Sequence, residues 1–155
     1  NVGKSHLAGV ETMCKVQINR HINVHGAYNY LYTSKDADGV RLSSSSPHSG
    51  NIRAEYNTRI PRYATVVNLS GNIMGKKKFD VLDELEIDGK KVEAYYQAKV
   101  NPYCLWDLTV SQYIMQNLRI TAGITNLFDY TSDRVTFNTS TSPGRNYFIA
   151  CNYTL

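Results

Sequence analysis

No run of the 155-residue sequence approaches the roughly 18 consecutive apolar residues of a membrane-spanning helix. Helical spanning is therefore excluded. Charged residues are sparse, at 19% of the chain, against about 25% in average soluble domains. The net charge of +4 is no signature of nucleic-acid binding, and no nucleic-acid partner is expected. Cysteine is scarce: Cys14, Cys104 and Cys151 lie too far apart for a disulfide framework or a zinc site. Helical periodicity is missing too, since no stretch places apolar residues at i, i+3, i+4 and i+7. Nor is there a charged segment followed by an apolar one at the start. The chain opens on Asn1 and reads as a mature product or a fragment. What the sequence has in excess is tyrosine, with 12 residues against 4 Phe and 1 Trp. With 42% hydrophobic residues it is too apolar to be wholly disordered. By length alone it is about one domain.

Period-two alternation carries the fold prediction. In residues 118–125, Leu118, Ile120, Ala122 and Ile124 oppose Arg119, Thr121, Gly123 and Thr125. In 52–60, Ile52, Ala54, Tyr56, Thr58 and Ile60 oppose Arg53, Glu55, Asn57 and Arg59. The same pattern recurs in 10–18, 22–32, 64–74, 106–114 and 146–155. That makes seven strands of about ten residues, the length that crosses a bilayer when tilted.

The connections sort by length. Asn19–His21, Ile60–Tyr63 and Gln116–Asn117 are tight turns, whereas 33–49, 76–103 and 128–144 are long loops. Short turns at one end and long loops at the other mark an outer-membrane barrel. Arg53, Glu55 and Arg59 place three charges on one strand face, which a dry core would not accept. The apolar face needs a cover, and no amphipathic helix is available to supply one. Lipid is the simplest cover. Tyr28, Tyr30 and Tyr32, with Tyr63, Tyr147 and Tyr153 near other strand ends, suit the aromatic girdle of a bilayer interface.

Other constellations fail on spacing. Asn1-Val2-Gly3-Lys4-Ser5 imitates the end of a phosphate-binding loop, but a strand pattern rather than a helix follows it. No histidine pair has the spacing of metal ligands, so no metal is expected. The carboxylates Asp80, Asp83, Glu84, Glu86 and Asp88 lack the calcium-loop pattern and read as a solvated loop of mixed charge. No catalytic constellation assembles from neighbouring positions, and neither enzymatic activity nor a cofactor is expected.

Two further segments carry a family resemblance. The first is Ala122-Gly123-Ile124-Thr125-Asn126-Leu127-Phe128-Asp129, followed by Ser142-Pro143-Gly144-Arg145-Asn146-Tyr147-Phe148. The second runs from Asn1-Val2-Gly3 through Gly9-Val10-Glu11. Together, in this order and with alternating strands between, they resemble the C-terminal part of TonB-dependent outer-membrane receptors. Asn126, Leu127, Phe128, Pro143, Gly144 and Arg145 are the motif positions. Leu155 departs from the aromatic residue on which that family more often ends.

The resemblance implies an all-β fold: an antiparallel transmembrane β-barrel segment, about seven strands of a larger barrel of about 22. Residues 1–155 would be the C-terminal part of the receptor barrel, without its plug domain. It implies uptake of a scarce external ligand (cobalamin, haem or siderophore-like) across the outer membrane of a Gram-negative bacterium. Implied partners are outer-membrane lipid, the plug domain, a periplasmic energy transducer and the barrel-assembly machinery. Glu11, Lys15, Arg53, Glu55, Arg59 and Arg119 would face the lumen, and His48, Tyr95, Tyr96, Tyr130 and Arg134 would meet ligand in the external loops. The competing reading is a small soluble β-barrel or sandwich that binds a ligand in an open apolar pocket.

Overall fold

The computed structural model describes residues 6–34, 46–87, 90–115, 117–131 and 143–154, the side chains of 79–98 excepted. The described residues form nine strands: β1 Leu7–Gln17, β2 Ile22–Thr33, β3 His48–Asn57, β4 Thr65–Met74, β5 Lys77–Ile87, β6 Lys90–Val100, β7 Tyr103–Ile114, β8 Leu118–Thr125 and β9 Asn146–Tyr153. Seven of them make one antiparallel sheet in the order β1-β2-β3-β4-β7-β8-β9, and β5 pairs with β6 separately. The all-β expectation and the seven-stranded sheet hold.

Register decides how the alternating strands add up. One row of partners runs Cys14–Gly26–Ile52–Gly71–Trp106 across five strands. Another runs Ala54–Leu69–Leu108–Ile124–Tyr147. Because alternation has a period of two, these rows fix a single face for the whole sheet. That face is apolar from β1 to β9, and the opposite face carries the polar positions of every strand. Trp106 lies across Gly71, where a Cβ would come within 2.9 Å of its ring. On the polar face the ring of Phe148 fills the space above Gly123 in the same way.

The sheet has no dry interior of its own. Among the described residues Val100, at 9% exposure, is the one buried hydrophobic side chain. Ile149 is 81% exposed and Met13 77%. Strands β1 and β9 are the two edges of the sheet, each paired on one side only.

Two expectations change. Residues 76–103, expected to be a long loop, hold the β5–β6 hairpin. The β4–β7 ladder ends at Met74–Tyr103, and strand pairing resumes at Lys77–Val100. Gly75 and Pro102 fall in the gap, and a proline has no N–H to give a ladder. Ile87 pairs with Lys90, and the two residues between them in sequence are Asp88 and Gly89, the pair favoured in two-residue hairpins. The second change is the strand expected over 52–60, which is shifted to His48–Asn57. Asn57 Oδ1 accepts from the Arg59 backbone N–H at 2.8 Å, and Arg59 has φ 53. A left-handed residue cannot continue a strand, so Arg59 lies in the turn and not on a strand face.

The three tight turns gather at one end of the sheet. In the first, Asn19 Oδ1 accepts from the N–H groups of His21 and Ile22 at 2.8 and 2.9 Å, an Asx turn. Arg62 and Met115 of the second and third have φ 68 and 57. Backbone bonds knit neighbouring turns: Asn57 N–H donates to His21 O at 2.8 Å and Met115 N–H to Arg62 O at 2.5 Å. His21 Nδ1 lies 2.8 Å from Asn57 O, while Arg20 Nε donates to His21 Nε2 at 2.8 Å. That donor leaves Nδ1 as the protonated nitrogen of the neutral ring.

Candidate functional site

The polar face and its loop end form the candidate site. Lys15, His25 and Arg53 stand directly opposite one another on β1, β2 and β3. Glu11 lies four residues, two periods of the alternation, further toward the loop end of β1, opposite Asn29. Arg53 donates to Asn68 Oδ1 through its Nη2 at 2.9 Å and faces the Glu55 carboxylate at 3.7 Å. Arg53 is exposed at 54% and Glu55 half-buried at 31%, so water still reaches the pair and it adds little stability. Ser111 and Thr121 share a 2.8 Å hydrogen bond across β7 and β8. Arg119 lies 5.9 Å from the ring centre of its partner Tyr113. Register therefore brings Glu11, Lys15, Arg53, Glu55 and Arg119 onto one surface.

At the loop end, the segment after β8 is held by a polar knot. Asn126 is 5% exposed with φ 53, a conformation that asparagine tolerates better than most residues. Its backbone N–H donates to Asp107 Oδ1 at 2.9 Å. Its side chain accepts from Tyr130 N–H and donates to Tyr130 O, both at 2.8 Å. Leu127 N–H donates to Trp106 O at 2.6 Å. Asp129, with φ 57, accepts from the Arg145 N–H at 2.7 Å. A Cβ on Gly144 would come within 3.0 Å of that same Asp129 carboxylate. The motif positions thus clamp both ends of one loop together, with Asn126 also donating to Pro143 O at 3.5 Å. Phe128 is exposed at 68%.

This knot fixes Tyr130. Its ring stacks on Tyr103 at 4.9 Å and 10°. Tyr103 is partnered with Met74, two positions before Leu105 on the polar face. Neither Tyr103 nor Asp107 stood out in the sequence, because only register brings them beside residues 19 to 27 positions later. Arg145 adds a cation to this rim. The hydrogen bond that its Nη1 gives Tyr147 Oη at 3.5 Å raises its pKa above the usual arginine value.

The other expected ligand contacts separate. His48, expected in an external loop, is the first residue of β3 and stands opposite Tyr30 on the apolar face. Its Nδ1 lies 2.7 Å from Tyr28 Oη, and its ring centre is 5.2 Å from that of Tyr30. Alternation, which the sequence pattern traced back only to Ile52, carries through to His48 and turns it away from the polar face. Tyr95 and Tyr96 are consecutive positions in β6, opposite Leu82 and Val81. Arg134 lies outside the described residues. No group of three metal-ligating side chains occurs among the described residues.

The model of the TonB dependent receptor-like β-barrel family matches residues 1–127. No curated protein matches in sequence. Among solved structures, the ferripyoverdine receptor of the outer membrane of Pseudomonas aeruginosa, bound to ferripyoverdine, is similar with TM-score 0.73 and 18% identity. That match covers 96% of this chain and 19% of the receptor. A mutant ferric enterobactin receptor from the same organism is similar with TM-score 0.70 and 18% identity, over 95% of this chain and 22% of that one. A complex of FpvAI with pyocin S2 gives TM-score 0.73 at 17% identity, over 96% of this chain and 19% of that one. The chain thus spans about a fifth of the length of these proteins.

Proposed function

Because this chain belongs to the TonB dependent receptor-like β-barrel family, we propose that it forms part of the barrel wall of an outer-membrane uptake receptor. That family consists of transport receptors of the Gram-negative outer membrane, not of enzymes. The observation that carries the reading is the register: seven alternating strands join into one apolar and one polar face, with nothing among the described residues covering either. Lipid covers the first. The second, with Glu11, Lys15, Arg53, Glu55 and Arg119, lines a wet lumen and meets a plug domain. The open edges of β1 and β9 pair with further barrel strands, because an unpaired edge cannot lie in hydrocarbon.

The ligand class we favour is a ferric siderophore, ahead of cobalamin or haem. The support is that two of the similar structures are named as receptors for ferripyoverdine and ferric enterobactin. Capture takes place at the loop end, where the Asn126 knot holds Tyr130 against Tyr103. Release follows plug rearrangement driven by the periplasmic energy transducer, and the barrel-assembly machinery inserts the complete chain.

The test is uptake of radiolabelled iron by a Gram-negative host carrying the complete reading frame, with ferric siderophores, haem and cobalamin offered in turn. The expected result is energy-dependent uptake of a ferric siderophore that disappears on deletion. A folded, monodisperse monomer in detergent-free buffer would instead establish the soluble binding module.

A further inference from the structure

We infer that the tight-turn rim is a docking surface for anionic phospholipid headgroups of the adjoining leaflet, an inference that rests on the barrel reading above. The three turns lie side by side and are knitted by the His21–Asn57 and Arg62–Met115 backbone bonds. Segments 17–23, 57–65 and 113–119 contain no Asp or Glu. They do contain Arg20, Arg59 and Arg62, all exposed and none in an ion pair among the described residues; the fourth arginine, Arg119, lies on the polar face of β8 beside the Tyr113 ring. The nearest carboxylate along the chain, Glu55, already faces Arg53 at 3.7 Å.

Apolar side chains are interleaved with these cations. Ile18 is 62% exposed, Ile60 54%, Tyr63 52% and Met115 62%. Arg62, Tyr63, Met115 and Asn117 line one shallow hollow between the second and third turns. Ile18 continues the apolar register of β1, so this surface begins where the lipid-covered face ends. Arg59 and Arg62 also have positive φ, 53 and 68, where glycine would be less strained.

An arginine at a bilayer edge keeps its apolar stem against hydrocarbon and its guanidinium among phosphates. Three such groups with no acid among them attract anionic headgroups, and the interleaved Ile, Tyr and Met anchor the rim at the interface. The alternative occupant, an acidic protein segment, has no need of exposed isoleucines continuous with a lipid face.

The complete chain is reconstituted into vesicles of phosphatidylethanolamine with trace spin-labelled phosphatidylglycerol or phosphatidylcholine. Flotation first establishes insertion. Inserted protein is expected to restrict the phosphatidylglycerol label at least about twofold more than the phosphatidylcholine label in low salt. That preference is expected to fall to parity in the triple variant Arg20→Gln, Arg59→Gln, Arg62→Gln, with flotation unchanged. Equal restriction of both labels in inserted wild-type protein overturns the inference and leaves the barrel reading standing. So does a preference that survives in the triple variant. Loss of the preference to inorganic phosphate, but not to chloride at matched ionic strength, overturns it in favour of a free-phosphate site. Failure to float overturns both readings.

Discussion

Consider an arginine placed at Leu108. This residue is the sixth of the twelve in β7, on the apolar face between Leu69 and Ile124. A strand rises about 3.4 Å per residue, so at a tilt of about 45° each residue changes depth by about 2.4 Å. The apolar band of such barrels is about 25 Å tall, and Leu108 falls close to its middle. Leu108→Arg should therefore cost about 2–4 kcal/mol. Ile120 lies on the same face but pairs with Gln112, four residues nearer the tight turns. That is about 10 Å closer to the interface, where the cost of arginine falls to about 0–1 kcal/mol. Thr121 is the control on the polar face. Thr121→Arg removes the 2.8 Å bond to Ser111, a loss of about 1 kcal/mol. The assay is guanidinium titration of the complete chain in phospholipid bilayers, with tryptophan fluorescence and heat-modifiable gel mobility as readouts. The expected order puts Leu108→Arg well above both others. If Thr121→Arg proves the costly change while Leu108→Arg is silent, the two faces are inverted and the lipid assignment fails. Equal costs at Leu108 and Ile120 would refute the depth argument alone.

Three further outcomes follow from the geometry. Asn126→Ala strips the two 2.8 Å side-chain bonds to Tyr130 and leaves alanine at φ 53. It should cost about 2–3 kcal/mol in the same titration, and ligand affinity should fall with it because Tyr130 loses its anchor. Gly123→Ala drives a methyl into Phe148 and Thr109, and should cost about 1–3 kcal/mol. Adding Phe148→Ala should recover part of that loss, a non-additivity that a double-mutant cycle would read. Tyr28→Phe removes the bond to His48 and should cost about 0.5–1.5 kcal/mol. Since both residues are on the apolar face, ligand affinity should stay unchanged, and a fall would place His48 back at the ligand site.

Much of this architecture was legible without coordinates, because alternation is a local property of the chain. Strand β8 matches its sequence pattern residue for residue, and Arg53, Glu55 and Arg119 share the surface that their parity assigned. The misreadings have local causes too. The β5–β6 hairpin was hidden by its charge, although Asp88-Gly89 between alternating segments is a hairpin signal. Arg59 fits the parity of β3, but Asn57 and a left-handed backbone end the strand before it. His48 sits behind Ser46 and Pro47 and looks like loop, yet β2 offers it a pairing position at Tyr30.

The sequence by itself determined that the chain is β, that each strand has one apolar and one polar side, and that its connections alternate in length. Those follow from side-chain order and turn chemistry, which act over a few residues. Only the tertiary structure decided that the seven apolar sides fall on one face, since a single-residue slip in any ladder would have reversed the strands beyond it. It alone brought Asp107 to Asn126, Tyr103 to Tyr130 and three arginines to one rim. Those neighbours are set by hydrogen-bond register between strands, and register leaves no mark in the sequence of either strand alone.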